Sequence, residues 1–261
     1  MNPRGSSKLY TVLSYNFNDY EILREPLEID PLCDYVYVTD DPKYSKQTKV
    51  WRVVVDDSLK GLSAFDKCYR VRFNLFKYAT TPVCIYIDGS VRINKSLRKL
   101  YDAFIDSNAE IGLNIHPSRD NVFDEYNTWV KVRNYDVYQR EKCLCLMKVA
   151  GYDSKYKGLY QGTLRICKNT ELNRRLDSFV YKTLVKLGSW GVIERLDQTI
   201  YSFILNKFFN SIPIFPISTQ VLQSDYCSWC VHGKDTVHPY IQDNDKEFVY
   251  VQGKLVKPYR I

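Results

Sequence analysis

The chain has 261 residues, 45% of them hydrophobic, enough apolar material for a substantial core, which excludes a globally disordered polypeptide. A formal net charge of +7 points to an anionic partner, but the basic residues are scattered along the chain, which favours a local phosphate site over a nucleic-acid groove. No stretch approaches the roughly 18 uninterrupted apolar residues of a membrane span, and eight Cys behind the polar opening "MNPRGSS" read as reduced thiols of a cytoplasmic protein, compatible with peripheral attachment at the inner face of a membrane.

Residues 1–8 are expected to be a disordered end. "LYTVLSY" (9–15), "DYVYVTD" (34–40) and "VWRVVV" (50–55) then read as strands, being β-branched and aromatic runs bounded by turn residues. The second ends in Thr39, Asp40 and Asp41, where Asp40 or Asp41 can hydrogen-bond a base or ribose, or simply make an Asp-Asp-Pro turn. "GLSAFDKCYRVRFNLFKYA" (61–79) reads as a helix with Leu62, Phe65, Tyr69, Phe73 and Phe76 on one face and a Ser63–Asp66 capping pair at its start.

"VCIYID" (83–88) is the next strand, and it ends in Asp88, Gly89 and Ser90. A carboxylate in that place can hold a divalent cation that bridges a diphosphate, or accept hydrogen bonds from a ribose. Gly89 lets backbone approach a ligand, and Ser90 adds a weak oxygen donor. An ordinary Asp-Gly turn is the alternative. "SLRKLYDAFI" (96–105) reads as a helix with Leu97, Leu100 and Phe104 on one face, and "EIGLNI" (110–115) as a strand that delivers His116 to the same edge. With Arg119 and Glu125, His116 can bind acceptor hydroxyls or neutralise phosphate, or form a plain buried ion pair; Asp120 and Asp124 are neighbouring acids of equal standing.

The second half is more helical, over 121–149, 170–187 and 192–208. In the last of these Ile193, Leu196, Ile200 and Phe203 make a buried stripe that sets Asp197 at its border. Cys227, Cys230, His232 and His238 in "CSWCVHGKDTVH" have the ligand types of tetrahedral zinc, with no second C-x-x-C to complete a ribbon. A hairpin is expected at "EFVYVQGKLVKP" (247–258). Strand–helix–strand alternation implies an α/β fold with a mostly parallel sheet, helices on both faces, and ligands at the carboxyl ends of the strands. One domain is expected over 9–217, with a loop-rich tail, 218–261, packed on it.

The ordered set of motifs resembles glycosyltransferases of the GT-A fold. "CIYIDGSV" is similar to the apolar strand that ends in their Asp-x-Asp, and Arg72 in "RFNLFKYA" precedes it much as an Arg helix does in glycosyltransferase family 8. "LYQGTLRI" (159–166), with Gln161 and Gly162, looks like the strand that shapes the donor-sugar pocket there, and "RLDQTIYSFIL" (195–205), with Asp197 and Gln198, like that family's Asp-Gln motif. The glycosyltransferase-like family called domain of unknown function 616 is another echo: its Ile-Asp-Gly-Ser strand, His/Arg/Glu cluster and Asp-Gln match "YIDGS", "HPSRDNVFDEY" and "LDQ". "HGK", with His232 and Lys234, resembles in compressed form the family 8 loop that closes over the diphosphate. The matches run from about residue 9 to 210, and Ser90 departs from the pattern by replacing the second Asp.

The resemblance implies transfer of a sugar from a nucleoside diphosphate sugar to a hydroxyl of a glycan or lipid-linked acceptor. Thr39, Asp40, Asp41, Arg72, Asp88, Gly89, Ser90, Gln161, Gly162 and Lys234 would face the donor. Asp197, Gln198, His116 and Glu125 would serve catalysis, and Arg119 the acceptor. Mn²⁺ or Mg²⁺ would sit on Asp88, Ser90 and His232, weakly held or absent. A non-catalytic glycan- or nucleotide-binding module is the alternative. A sugar nucleotidyltransferase would carry a Gly-rich loop after the first strand, where "SYNFNDYE" has no Gly.

Overall fold

The computed structural model describes residues 7–133, 136–153, 156–192, 197–237 and 247–259. Strand forms where β-branched and aromatic residues run between turns: β1 (Tyr10–Asn16), β2 (Cys33–Thr39), β3 (Arg52–Val55), β4 (Val83–Ile87), the short β5 (Val91–Ile93), β6 (Ile111–Ile115), β7 (Tyr160–Lys168) and β8 (Ile214–Ile217). Seven of them form one sheet in the order β3–β2–β1–β4–β7–β6–β8. Every neighbouring pair is parallel except those of β7, which runs against both β4 and β6. The mostly parallel sheet is as expected; the reversed strand is not. Two helices, α3 (Val122–Arg133) and α4 (Val137–Val149), separate β6 from β7, where a crossover has one. The chain therefore re-enters at the edge where β6 ended, and Tyr160 of β7 pairs with Ile115.

Side chains alternate across the sheet. Leu13, Val36 and Tyr86 face one core with Tyr69 and Val71 of α1 (Ala64–Arg72), Leu176 and Val180 of α5 (Glu171–Ser189), and Ile200 and Ile204 of α6 (Asp197–Phe208). Val12, Ile85 and Ile166 face the other with Leu97, Leu100 and Phe104, which lie on or beside α2 (Arg98–Asp106). That second core also takes Leu222 and Tyr226 from the tail. β9 (Cys227–Trp229) pairs antiparallel with β5, and β10 (Val249–Val251) and β11 (Lys254–Val256) form the hairpin read at 247–258. Its turn needs two left-handed residues, Gln252 at φ 49° and Gly253 at φ 77°.

Ser63 caps α1 by accepting from the Asp66 amide at 3.1 Å. The helix stops at Arg72, well short of the expected Ala79; Asn74 leaves helical geometry (φ −148°, ψ 47°) and a short 3-10 turn, Leu75–Lys77, follows. Of the expected apolar stripe Tyr69 and Phe73 are buried and Leu62 and Phe76 pack against the same core, and Phe65 alone leaves it. Phe65 is 52% exposed, because Lys67 and Val71 turn inward instead and Lys67 reaches a carboxylate. Of the stripe expected on 192–208, Ile200 and Phe203 are buried, and Ile193 and Leu196 lie outside the described residues. No described helix is long and apolar enough to cross a membrane.

Asp56 accepts from Lys77 Nζ at 2.5 Å, Tyr78 Oη at 2.6 Å and the Ser58 amide at 3.0 Å, tying the β3–α1 connection to the turn after α1. Burial pushes its pKa up, but these donors outweigh it and hold the carboxyl below the ordinary range. A depressed folded-state pKa stabilises the fold above the unfolded value of about 4, and the contribution is lost as pH falls below it. Asp56→Asn is expected to cost about 1 kcal/mol at neutral pH and to flatten the acid side of the Tm-versus-pH curve. An unchanged acid slope would show that the cluster adds nothing.

Candidate functional site

β1, β2 and β4 end side by side, and their carboxyl ends deliver the polar groups. The Thr39 hydroxyl is buried and accepts from the Asp41 amide at 3.2 Å. Asp41 caps the turn Pro42–Lys46, accepting from the Lys43 amide at 2.8 Å, so it makes the turn that its sequence also allowed. Asp40 accepts from Lys67 Nζ at 2.8 Å and from the Asn18 amide at 3.3 Å, and remains partly open to solvent. Lys67 was not legible as a site residue.

Arg72 is the centre of the edge. Its Nε and Nη2 donate to Tyr86 Oη at 3.0 and 2.6 Å, its Nη1 donates to Asp197 Oδ2, and Nη2 lies 3.6 Å from Asp88 Oδ1. The guanidinium carbon sits 4.9 Å from the centre of the Tyr86 ring and 6.0 Å from that of Tyr15. Burial pulls its pKa down, but Tyr15, Tyr86 and Asp88 outweigh that and keep it charged. Gly162 makes room for it: a Cβ there would come 3.2 Å from Arg72 Nη1. Gln161 turns away, its Oε1 accepting from Asn114 Nδ2 at 2.8 Å. The cavity between Arg72, Tyr86, Gly162, Asp197 and Gln198 measures ≈ 30 Å³, about the space of one water.

The 88–90 turn is held from inside the protein. Asp88 Oδ1 accepts from the Gly89 amide at 2.9 Å and from Tyr86 Oη at 3.4 Å. A Cβ on Gly89 would lie 2.9 Å from the Tyr15 carbonyl, so the close approach expected there is to β1. Ser90 is buried, and its carbonyl accepts from the Cys230 amide at 2.8 Å. Two buried residues that sequence reasoning missed, Glu21 and Arg24, clamp this turn to the tail. Arg24 donates to the Gly89 carbonyl at 2.7 Å and to the Lys234 carbonyl at 2.6 Å. Glu21 accepts from the Gly233 amide at 3.3 Å and pairs with His232 Nδ1. The signal available was an acid and a base three apart in "YEILR", directly after a strand.

These contacts decide what the edge can hold. His232 is committed to Glu21 and the Ser90 side chain is buried, which leaves Asp88 alone as a hard anionic donor, a poor set for a resident divalent cation. Among the described residues no three His, Cys, Asp or Glu are grouped to hold a metal. Cys227 and Cys230 are buried, burial pushes the Cys227 thiol up to about 12, and His238 lies outside the described residues.

A second cluster adjoins the first through α6. Glu125 is 1% exposed and accepts from Trp129 Nε1 at 2.7 Å, from Gln198 Nε2 and from Arg119 Nε. His116 Nδ1 accepts from the Arg119 amide at 3.1 Å, and Arg119 Nη2 lies 3.0 Å from His116 Nε2. Asp120 pairs with Lys157 at 3.2 Å, and Asp124 is exposed on the first turn of α3. Consecutive residues of α6 thus bind the two clusters together, Asp197 to Arg72 and Gln198 to Glu125. A cavity of ≈ 140 Å³ flanks His116 and Arg119, roofed by Phe248 and Tyr250 of the hairpin region.

No family model and no curated protein matches this chain. The chemistry must come from the side chains themselves. Arg72 is a guanidinium on an aromatic floor at this edge, and an anion such as a diphosphate would compete for it with Asp197 and Asp88.

Proposed function

We propose that the chain is a glycosyltransferase with a GT-A-type, Rossmann-like sheet, moving a sugar from a nucleoside diphosphate sugar to a hydroxyl of a glycan or lipid-linked acceptor in polysaccharide or glycoconjugate synthesis. The observation that carries the proposal is Arg72, charged and held between Asp88 at the end of β4 and Asp197 at the start of α6. In the proposed reaction the acceptor oxygen forms a bond to the anomeric carbon while the bond to the diphosphate oxygen breaks, and the electron pair leaves with the diphosphate. Arg72 takes up the developing charge, with Lys234 on the clamped loop as a second cation. Asp40 receives the base or ribose. Asp197 accepts the acceptor's proton, and Arg119 orients the acceptor. Glu125, with donors on every side, positions His116, Arg119 and Gln198 and is not the base.

Mn²⁺ or Mg²⁺ arriving with the diphosphate would neutralise leaving-group charge at Asp88. A lipid-linked acceptor would place the protein at the inner face of a membrane. Incubation with a panel of nucleotide sugars, with and without Mn²⁺, tests the proposal: release of nucleoside diphosphate is expected with one donor. Tight nucleotide binding without release from any donor would leave the second reading, a non-catalytic module of the same fold.

Asp197→Asn keeps size and removes charge. Turnover is expected to fall at least tenfold, about 1.4 kcal/mol of transition-state stabilisation, with Tm little changed. A variant that melts early yet turns over normally per folded molecule would make Asp197 a structural partner of Arg72 only.

A further inference from the structure

Another cavity lies away from this edge. Asn169 donates to the Pro82 carbonyl at 2.7 Å, immediately before β4 begins, which places it at the amino edge of the parallel strands. Beside it a groove of ≈ 620 Å³ opens between the end of α1 with its following turn and the first turns of α5. That volume is typical of a small-molecule site. Phe76 and Tyr181, both half-buried, supply apolar wall, and Arg70 and Arg174 supply charge.

The state of each charged group matters. Asp177, the acid on the lining, is spent on Arg165, whose Nη1 and Nη2 donate to it at 2.5 and 3.1 Å. Lys77 is spent on Asp56. Arg174 donates only to the neutral Asn169 Oδ1, at 2.6 Å, and Arg70 has no acidic partner among the described residues. Among the described residues, then, two guanidinium groups without an acidic partner share one groove with aromatic walls.

We propose that this groove binds a phosphate-bearing small molecule with an aromatic or other planar body, the phosphate on Arg70 and Arg174 and the ring against Phe76 and Tyr181. Two guanidinium forks favour phosphate over carboxylate, since a phosphate dianion offers more acceptor oxygens and more charge to bidentate donors. The site is independent of the glycosyl-transfer proposal, for its lining includes none of the residues assigned there.

Phenyl phosphate is the probe, titrated into the full chain and followed by amide chemical shifts. Saturable shifts are expected at residues 74–77 and 169–178. In the Arg70→Ala/Arg174→Ala double variant, whose side chains are not core groups, Kd is expected to rise at least tenfold with the spectrum otherwise intact. Asp88→Ala should leave the same Kd within twofold. Shifts confined to the carboxyl edge, a Kd in the double variant within threefold of the parent, or benzoate binding as tightly as phenyl phosphate would each overturn the proposal.

Discussion

Replacing Arg72 with Lys is expected to lower turnover at least a hundredfold while moving Tm by no more than a few degrees. The side chain works as a planar fork: one edge donates twice to Tyr86 Oη, and the other reaches Asp197, with Asp88 at 3.6 Å. An ammonium keeps the charge but is a compact point donor on a flexible stem, unable to span those partners. Loss of one well-placed donor to a developing anion costs a factor of about 10² to 10³ in turnover, and here several are lost together. Stability should suffer less, because Lys leaves a cation for Asp88 and Asp197 at a partly hydrated edge. If Arg72→Lys turns over at the parent rate, the guanidinium is a structural strut and the leaving group must be met elsewhere.

Glu125→Ala should strike stability. Its carboxylate is buried with Arg119, Trp129 and Gln198 all donating to it, so truncation leaves one partly exposed cation and two neutral donors without their acceptor. Breaking a buried pair in this way costs about 3–5 kcal/mol, and with roughly 2 °C lost per kcal/mol for a chain this long the fall in Tm is on the order of 10 °C. Glu125→Gln, which keeps the shape and the acceptor facing Trp129, should lose less than half of that. Total turnover should track the fraction folded, with turnover per folded molecule little changed. The opposite pattern, a normal melt with turnover abolished, would return Glu125 to the role of general base.

Much of the architecture is a local property of the chain. Strands β1, β2 and β4 announce themselves as apolar, β-branched runs, and their ends are marked by Asn-Asp, Asp-Asp and Asp-Gly. The cap of α1 is readable from Ser63 and Asp66, and the β10–β11 turn from Gln252-Gly253. Period and punctuation act over about ten residues, which is why they survive in a single sequence. The edge that gathers Asp40, Asp88 and His116 follows from the same signals, because a parallel sheet puts the carboxyl ends of its strands on one side.

Only the tertiary structure decided which of those groups meet and which are already spent. Arg72 and Asp197 are 125 positions apart, Arg24 and Lys234 are 210 apart, and Glu21 and His232 are 211 apart. No local pattern carries such a pairing. The burial of Lys67 on α1 likewise answers the Asp40 carboxylate just after β2. So is the fate of Gly89, whose tight approach answers the Tyr15 carbonyl of the neighbouring strand. The sequence by itself determined β1 to β4, β6 and the β10–β11 hairpin and the edge on which their chemistry lies, while β5, β8 and β9 were not among its strands. The partner of each charge was settled by packing, since a buried charge takes whichever counter-charge the fold brings within reach, however distant along the chain.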